Sequence, residues 1–463
     1  MNYTECLLAG LPDDIRNLVE RGGFKLARRR IASLLNSEIP SLLRARLVYE
    51  LERIKRIEYM YPYSRDEAFN LLLKEVPDLS LEDFDRWVKE GYIDSRVIEG
   101  EEKYFRSFIP NLYRFCKEAS ERRVIKPDPK IQEARKYLLE QIDRIIEEAK
   151  KTGSSKVLPH SFRLKLTVEV KEDAVPEGEV IRCWLPIPKP TELQTNIKII
   201  STSPEYKYIA PEDAPQRTVY FETVADGKPK TFSVEFEYTI KGFYLEVNPE
   251  KVKEYDENSP VYVKYTREEP PHIVFTPYIR RLVEKITNGE KNPYLRAWKI
   301  YKWITTNVRY ATAYDYAIYE NISDYVARNL KGDCGMQALL FITMARAAGI
   351  PARWESGWYM NPKSYGMHDW ARFYIEPFGW LWADLSFGGA RRQMPKYHSF
   401  YFGNIDNFRL VFNSEISTQF QPPKKHWRSD PVDNQRGEIE WNGGNLYYDK
   451  WTYKMELIEY KQF

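Results

Sequence analysis

The spacing of apolar residues changes twice along the chain. Up to about residue 155 they recur at helical intervals, over Asp13 to Glu20, Lys25 to Leu35 and Pro40 to Tyr59. Ser64-Arg65-Asp66-Glu67 has the order of a capping box, in which serine and glutamate satisfy each other's backbone N–H groups, so a further helix is expected from there. Ser80 opens another that ends near Lys89. Tyr92 to Phe105 breaks the pattern and reads as a small hairpin turning at Glu99-Gly100. After a linker at Val124 to Lys130, Ile131 to Lys151 forms a long amphipathic helix whose charged face reads as solvated surface.

From about residue 158 the period becomes two. Phe162, Leu164, Leu166, Val168 and Val170 alternate with polar residues, as a half-buried strand does. Similar runs follow at Val180 to Leu185, Asn196 to Ser201, Thr218 to Thr223 and Thr231 to Ile240, with turns rich in Pro, Gly and Asp between them. That spacing predicts a β-sandwich over 158–248, placed to buttress a neighbouring domain or shape its cleft. Helical spacing returns at Pro277 to Thr287 and Asn292 to Asn307. The chain ends in strands, with clear alternation over Tyr453 to Tyr460, after a loop-like stretch at Gln421 to Arg436. The expected organisation is therefore α+β: a helical amino-terminal domain at 1–155, a β-sandwich at 158–248 and a mixed domain at 270–463. No internal repeat or low-complexity tract is present.

The chemistry concentrates in the third region. Lys331-Gly332-Asp333 is a turn signal, and Asp333 is a favourable N-cap residue. From Cys334 the chain reads as a buried helix through Met336, Leu339, Leu340, Phe341 and Met344, stopped by Gly349 with Pro351 following. Cys334 is thus expected in a helical first turn. There the partial positive charge favours thiolate, and unpaired backbone N–H groups can face an oxyanion. Gly332 and Gly335 leave room for a substrate carbonyl.

Downstream, Trp370 to Ile375 reads as a strand, Glu376-Pro377-Phe378-Gly379 as a turn and Trp380 to Leu385 as the returning strand. A hairpin of this length brings His368 and Asp384 toward one open end, on a register the sequence leaves undetermined. A thiolate nucleophile needs a base, and the base needs an anion to orient it; Cys334, His368 and Asp384 are residue types that supply those roles. Singly, each has a plainer reading: a small buried hydrophobe, a hydrogen-bonded core histidine, a turn or cap aspartate. Asp369 and Glu376 are the alternative carboxylates if the hairpin register differs. Trp354, Trp358, Trp370, Trp380 and Trp382 crowd the same region, mostly as core and cleft walls, with one or two able to line an acyl slot.

The pieces G-D-C-G with its apolar helix, G-I-P-A-R, H-D-W and G-W-L-W-A-D occur in one order between Val274 and Gly389. In this the chain resembles the transglutaminase-like superfamily, whose core is a papain-like Cys-His-Asp fold. W-L-P-I-P at Trp184 to Pro188 and S-F-Y-F-G-N-I-D-N-F-R-L at Ser399 to Leu410 resemble its larger bacterial and archaeal members. The resemblance implies a transglutaminase-like catalytic domain at 270–463 beside the helical and β-sandwich domains. It implies Cys334 as nucleophile, His368 as base and acid, and Asp384 as orienter. The family's aromatic oxyanion donor has Tyr310 or Tyr314 as its candidates, and Trp358 and Trp370 are the candidates on the substrate side. The expected function is cysteine-dependent acyl transfer on amide bonds through a thioester, as a peptidase or amidase or as a transglutaminase. The alternative is a binding or assembly protein that keeps the fold without catalysis; retention of all three residues counts against it.

Composition adds boundaries. The 463 residues are 43% hydrophobic and 30% charged, ordinary values for a globular chain with room for several cores. A net charge of +3 makes no case for nucleic acid or membrane. The helix-helix-hairpin of the first domain could be a winged DNA-binding unit, but its would-be recognition helix, LEDFDRWVKEG, is net acidic, which favours a packing module. Cys6, Cys116, Cys183 and Cys334 lie far apart with no CxxC spacing, and no HExxH occurs, so neither metal nor other cofactor is expected. The expected partner is a peptide or protein amide substrate, with oligomeric state open. The first residues, MNYTECLLAGLPDD, lack the pattern of a signal peptide and no run reaches membrane-spanning length, so a cytoplasmic location is expected.

Overall fold

A computed structural model describes residues 3–126 and 128–463; Pro127, inside the expected linker, lies outside the described residues. The chain forms two compact units that are interleaved in sequence. One comprises residues 1–128, 309–321 and 331–333, the other 129–308, 322–330 and 334–463.

The first unit is helical. Helices Asp13–Glu20, Phe24–Leu35 and Ser41–Met60 follow the apolar spacing, and Arg65–Leu73 begins on the expected capping box: Ser64 N donates to Glu67 Oε2 at 2.8 Å and Glu67 N to Ser64 Oγ at 3.3 Å. Ser80 caps Leu81–Lys89, and strands Ser95–Ile98 and Glu101–Tyr104 make the hairpin, with Glu99 and Gly100 at positive φ. Buried Glu50 is bracketed by Arg46 and Arg53 at 2.6 and 2.7 Å. This cluster also holds the later segment of the unit: Arg46 pairs with Glu320 at 2.7 Å, Tyr49 Oη donates to the Ala317 carbonyl and Asn111 to the Thr312 carbonyl. Lys331 is paired with Asp94 at 2.6 Å.

The second unit carries a β-sandwich and a further five-stranded sheet. In one sandwich sheet, strand Lys156–Val170 pairs with Lys230–Phe243 on one side and Trp451–Gln462 on the other, and Gln194–Ser203 pairs along the far edge of Lys230–Phe243. Phe162, Leu164, Leu166, Val168 and Val170 form its buried face. The second sheet pairs Val180–Pro186 with Thr218–Val224 and, from the far end of the chain, Glu438–Trp441. The carboxy-terminal strands therefore complete both sandwich sheets, and helix Pro129–Thr152 belongs to this unit.

The third sheet is antiparallel, in the order Phe402–Gly403, Gly379–Ala383, Ser364–Ile375, Ala352–Asn361 and Arg409–Asn413. Helix Cys334–Ala347 packs on it, with Phe341 and Phe373 rings 5.8 Å apart. The sandwich is joined to this sheet by backbone bonds, Lys189 N to Val411 O and Phe243 N to Ile405 O, and by the ion pair of buried Arg372 with Glu192. The result is an α+β fold. Among the described residues no helix is long and apolar enough to cross a membrane.

Candidate active site

Cys334 is the first residue of its helix, at the end where backbone N–H groups are unpaired within the helix. Gly335 through Arg346 are all buried, whereas Cys334 is partly exposed; the other three cysteines are buried. The helix is apolar because it runs through the interior, and Gly349, at φ 72°, ends it with a turn that a β-carbon would strain. Asp333 precedes it and accepts a hydrogen bond from Tyr316 Oη at 2.6 Å.

The hairpin register that the sequence left open is settled by the pairs Ala371↔Ala383 and Ile375↔Gly379. One step further, Asp384 falls opposite Trp370, two residues from His368 along one strand face. His368 Nε2 and Asp384 Oδ2 are 2.7 Å apart and both are buried. Asp384 also caps the short helix Leu385–Gly389, its Oδ1 accepting from Phe387 N at 3.0 Å.

A second layer backs this pair. Arg409 Nη1 lies 2.8 Å from Asp384 Oδ2, close as an ion pair though not aligned as a hydrogen bond, and Arg409 Nη2 meets Asp406 Oδ2 at 2.6 Å. Tyr401 Oη donates to Asp406 at 2.9 Å. Burial alone would raise the Asp384 carboxyl. The charges of His368 and Arg409 and the hydrogen bonds from His368 and Phe387 N–H outweigh it and hold the group well below the usual carboxylate range. Burial lowers the His368 imidazole, offset in part by the Asp384 charge and hydrogen bond. The unperturbed ring is neutral above about pH 6.5, so the lowered one is neutral there too and able to accept a proton.

The thiol of Cys334 donates to Asp369 Oδ2 at 3.2 Å. Asp369, the residue after the histidine, also accepts from Gln435 Nε2 at 2.6 Å, and the Asp433 carboxyl is hydrogen-bonded to it. The expected loop at Gln421 to Arg436 thus carries side chains into the site.

The other expected residues are placed as follows. Tyr310 and Tyr314 belong to the first unit. Tyr310 is largely exposed, with Arg114 over its ring at 5.2 Å, and it pairs with Gly332, two residues before Cys334 in the chain. Tyr314 packs its ring on Phe105 and Tyr61. The two tryptophans expected on the substrate side take the packing role instead. Trp370 is fully buried, its Nε1 donating to Glu355 at 2.7 Å with Arg409 against its ring. Trp358 is 5% exposed, and its Nε1 donates to the Gln435 carbonyl. Both rings are enclosed by packing on their faces of the sheet.

Sequence reasoning missed Arg409, Asp406, Asp433 and Gln435. Asp406 and Arg409 lie inside the N-I-D-N-F-R-L stretch, so a charged pair amid apolar residues was the available signal. Asp433 and Gln435 sit in a polar loop with no such contrast.

The family model of the transglutaminase-like superfamily matches residues 280–385. An uncharacterised protein of Haemophilus influenzae is 27% identical over 199 residues, 37% of this chain and 50% of its own; the chain thus spans about half the length of that relative. Among solved structures, a candidate cysteine protease from Cytophaga hutchinsonii is similar at 14% identity and a TM-score of 0.42, over 67% of this chain and 92% of that one. The periplasmic domain of TgpA from Pseudomonas aeruginosa is similar at 13% identity and 0.27, over 54% and 94%.

Proposed function

A transglutaminase-like domain occupies residues 280–385 of this chain, and on that premise we propose that the protein is a cysteine-dependent acyl-transfer enzyme acting on amide bonds. The observation that carries the reading is the buried 2.7 Å pair of His368 and Asp384, with Asp384 anchored by Arg409, in the same domain as a partly exposed thiol at a helix start.

In this reading Nε2 of His368 is engaged by Asp384, so Nδ1 exchanges the thiol proton. At rest the thiol is held by Asp369, on the strand face opposite His368, so the proposal requires it to leave that bond and reach His368, to which it passes its proton. The sulfur then adds to the amide carbonyl carbon, and the resulting oxyanion faces the N–H groups of the helical first turn. Collapse breaks the C–N bond, and the imidazolium gives its proton to the departing amine, leaving a thioester on Cys334. An acceptor, water or a second amine, loses a proton to His368 as it attacks the thioester and regenerates the thiol. Asp384 stays ionised throughout and stabilises the imidazolium. Water makes the protein a peptidase or amidase, and an amine makes it a transglutaminase.

The test is Cys334→Ala in the full chain, assayed by mass spectrometry against a library of peptide and amide substrates with and without an added primary amine. Loss of both products with unchanged circular dichroism is expected. A folded Cys334→Ala protein with wild-type turnover overturns the proposal.

A further inference from the structure

Alternation along strand Ser364–Ile375 sends His368 and Asp369 to different faces. The histidine meets Asp384, and the aspartate meets the sulfur. Gln435 Nε2, besides its bond to Asp369, lies 3.0 Å from the Gly357 carbonyl and 3.1 Å from that of His368, so its amide is tied to the strand pair that carries the site.

Behind Asp369 stands Asp433, 2% exposed, hydrogen-bonded to Asp369 on one side and to Ser356 Oγ on the other. Ser356 is paired with Asp369 across the ladder, which puts the two side chains on one face. The Ser356 oxygen already accepts from Trp354 Nε1 at 2.9 Å and Asn413 Nδ2 at 3.1 Å. Both its lone pairs are used, so Ser356 donates its own proton to Asp433. A hydrogen bond between the two carboxyls therefore needs a proton held by the pair itself. Two adjacent buried carboxylates resist double ionisation. Burial and the neighbouring Asp430 push Asp433 up to about 7, with Ser356 and Arg428 opposing. The charged groups around the pair are Arg428, which donates to the Asp433 carbonyl, Asp430, which caps Val432 N and Asp433 N, and Arg436 and Glu438, which act on Asp430.

We infer that Asp369 is a positioning residue for the nucleophile: it holds the Cys334 thiol at rest, and the proton shared between Asp369 and Asp433 decides how readily that thiol ionises. This rests on the reading of Cys334 as the nucleophile. With one proton on the pair, a single negative charge faces the sulfur; with none, two do. Each nearby carboxylate disfavours thiolate. The pair therefore damps thiolate formation, and more strongly once its proton is lost above neutral pH.

The experiment is the rate of Cys334 alkylation by iodoacetamide between pH 5 and 10, in the full chain, read by peptide mass spectrometry. Alkylation joins sulfur to the acetamide carbon, expels iodide and releases the thiol proton to solvent, so it reads the thiolate fraction without any substrate. Asp369→Asn is expected to shift the profile down by about one pH unit, an approximately tenfold faster reaction at pH 6. Asp433→Asn is expected to speed the reaction severalfold above pH 7. Superimposable profiles for wild type and both folded variants overturn the inference. If Asp369→Asn fails to fold, Asp433→Asn decides alone, and a wild-type profile there overturns it. Retained turnover in Cys334→Ala would overturn the nucleophile instead, an outcome these alkylation profiles neither produce nor mask.

Discussion

One oxygen of Asp384, Oδ2, serves two nitrogens: His368 Nε2 reaches it at 2.7 Å and Arg409 Nη1 at 2.8 Å. Arg409 is fully enclosed and shared with Asp406, so the orienting carboxylate is itself oriented by a buried arginine that bridges two acids. Removing that arginine strands two buried carboxylates. Arg409→Gln is expected to lower stability by about 3–5 kcal/mol, the usual cost of breaking a buried ion pair from one side. Urea unfolding checks this. Adding Asp406→Asn should restore part of the loss, because one stranded charge is then gone; a double variant less stable than the single would contradict the bridge.

Asp384→Asn keeps the shape but exchanges an acceptor oxygen for a donor or a neutral acceptor, which favours the wrong imidazole tautomer. Turnover is expected to fall by roughly a hundredfold to ten-thousandfold, about 3–5 kcal/mol of transition-state stabilisation. His368→Ala should cost at least as much, and the double variant little more than the worse single, since the two act as a unit. The measurement is kcat/KM for the four proteins of the cycle. Losses that simply multiply would mean that the 2.7 Å contact is not used in the reaction.

Gly357 lies across the ladder from His368, at a β-bulge against strand Arg409–Asn413. A β-carbon there would come within 1.9 Å of the Leu410 carbonyl oxygen, a rigid backbone atom. Gly357→Ala is therefore expected to part strand Ala352–Asn361 from strand Arg409–Asn413, which carries Arg409. A loss on the order of 1–3 kcal/mol, as in overpacked cores, should appear as a lowered Tm. An unchanged Tm would show that the strands can separate at no cost.

His160 and His272 are buried, and burial lowers them to about 4 and about 3. His160 is held between Tyr460 Oη and Asn407 Nδ2, while Nδ1 of His272 accepts from Ile322 N. Both are depressed below the unfolded value near 6.5, so the unfolded chain binds protons that the folded chain refuses. Their contribution is fully present above about pH 6.5 and is lost as pH falls toward the folded values. Each should take away about 2 kcal/mol between pH 7 and 5. Urea titrations at several pH values test this: His160→Gln should flatten the slope in that window, and an unaltered slope would mean that His160 is accessible to protons in the fold.

Much of the molecule follows from local pattern. The period-two run from Phe162 to Val170, the capping box at Ser64 and the helix starting at Cys334 each depend on neighbours a few residues away, and such signals are written in the chain itself. The hairpin of His368 and Asp384 was legible as an element because its turn and strand residues are local, but which face each residue takes depends on hydrogen-bond register, and shifting that by one residue reverses every side chain. Which residues partner the site was not legible, even where a charged pair such as Asp406 and Arg409 stood out amid apolar neighbours. Arg409 reaches Asp384 across 25 residues of sequence, and Asp433 reaches Ser356 across 77, through a loop that has no periodicity of its own. The strands that end the chain likewise pair with strands nearly three hundred residues earlier, Trp451 beside Val170. Apolar spacing tells which side of an element is buried and leaves open what it is buried against. That choice is made by the summed packing and pairing of distant segments, and here it decided the two layers of carboxyl groups around the histidine and the sulfur.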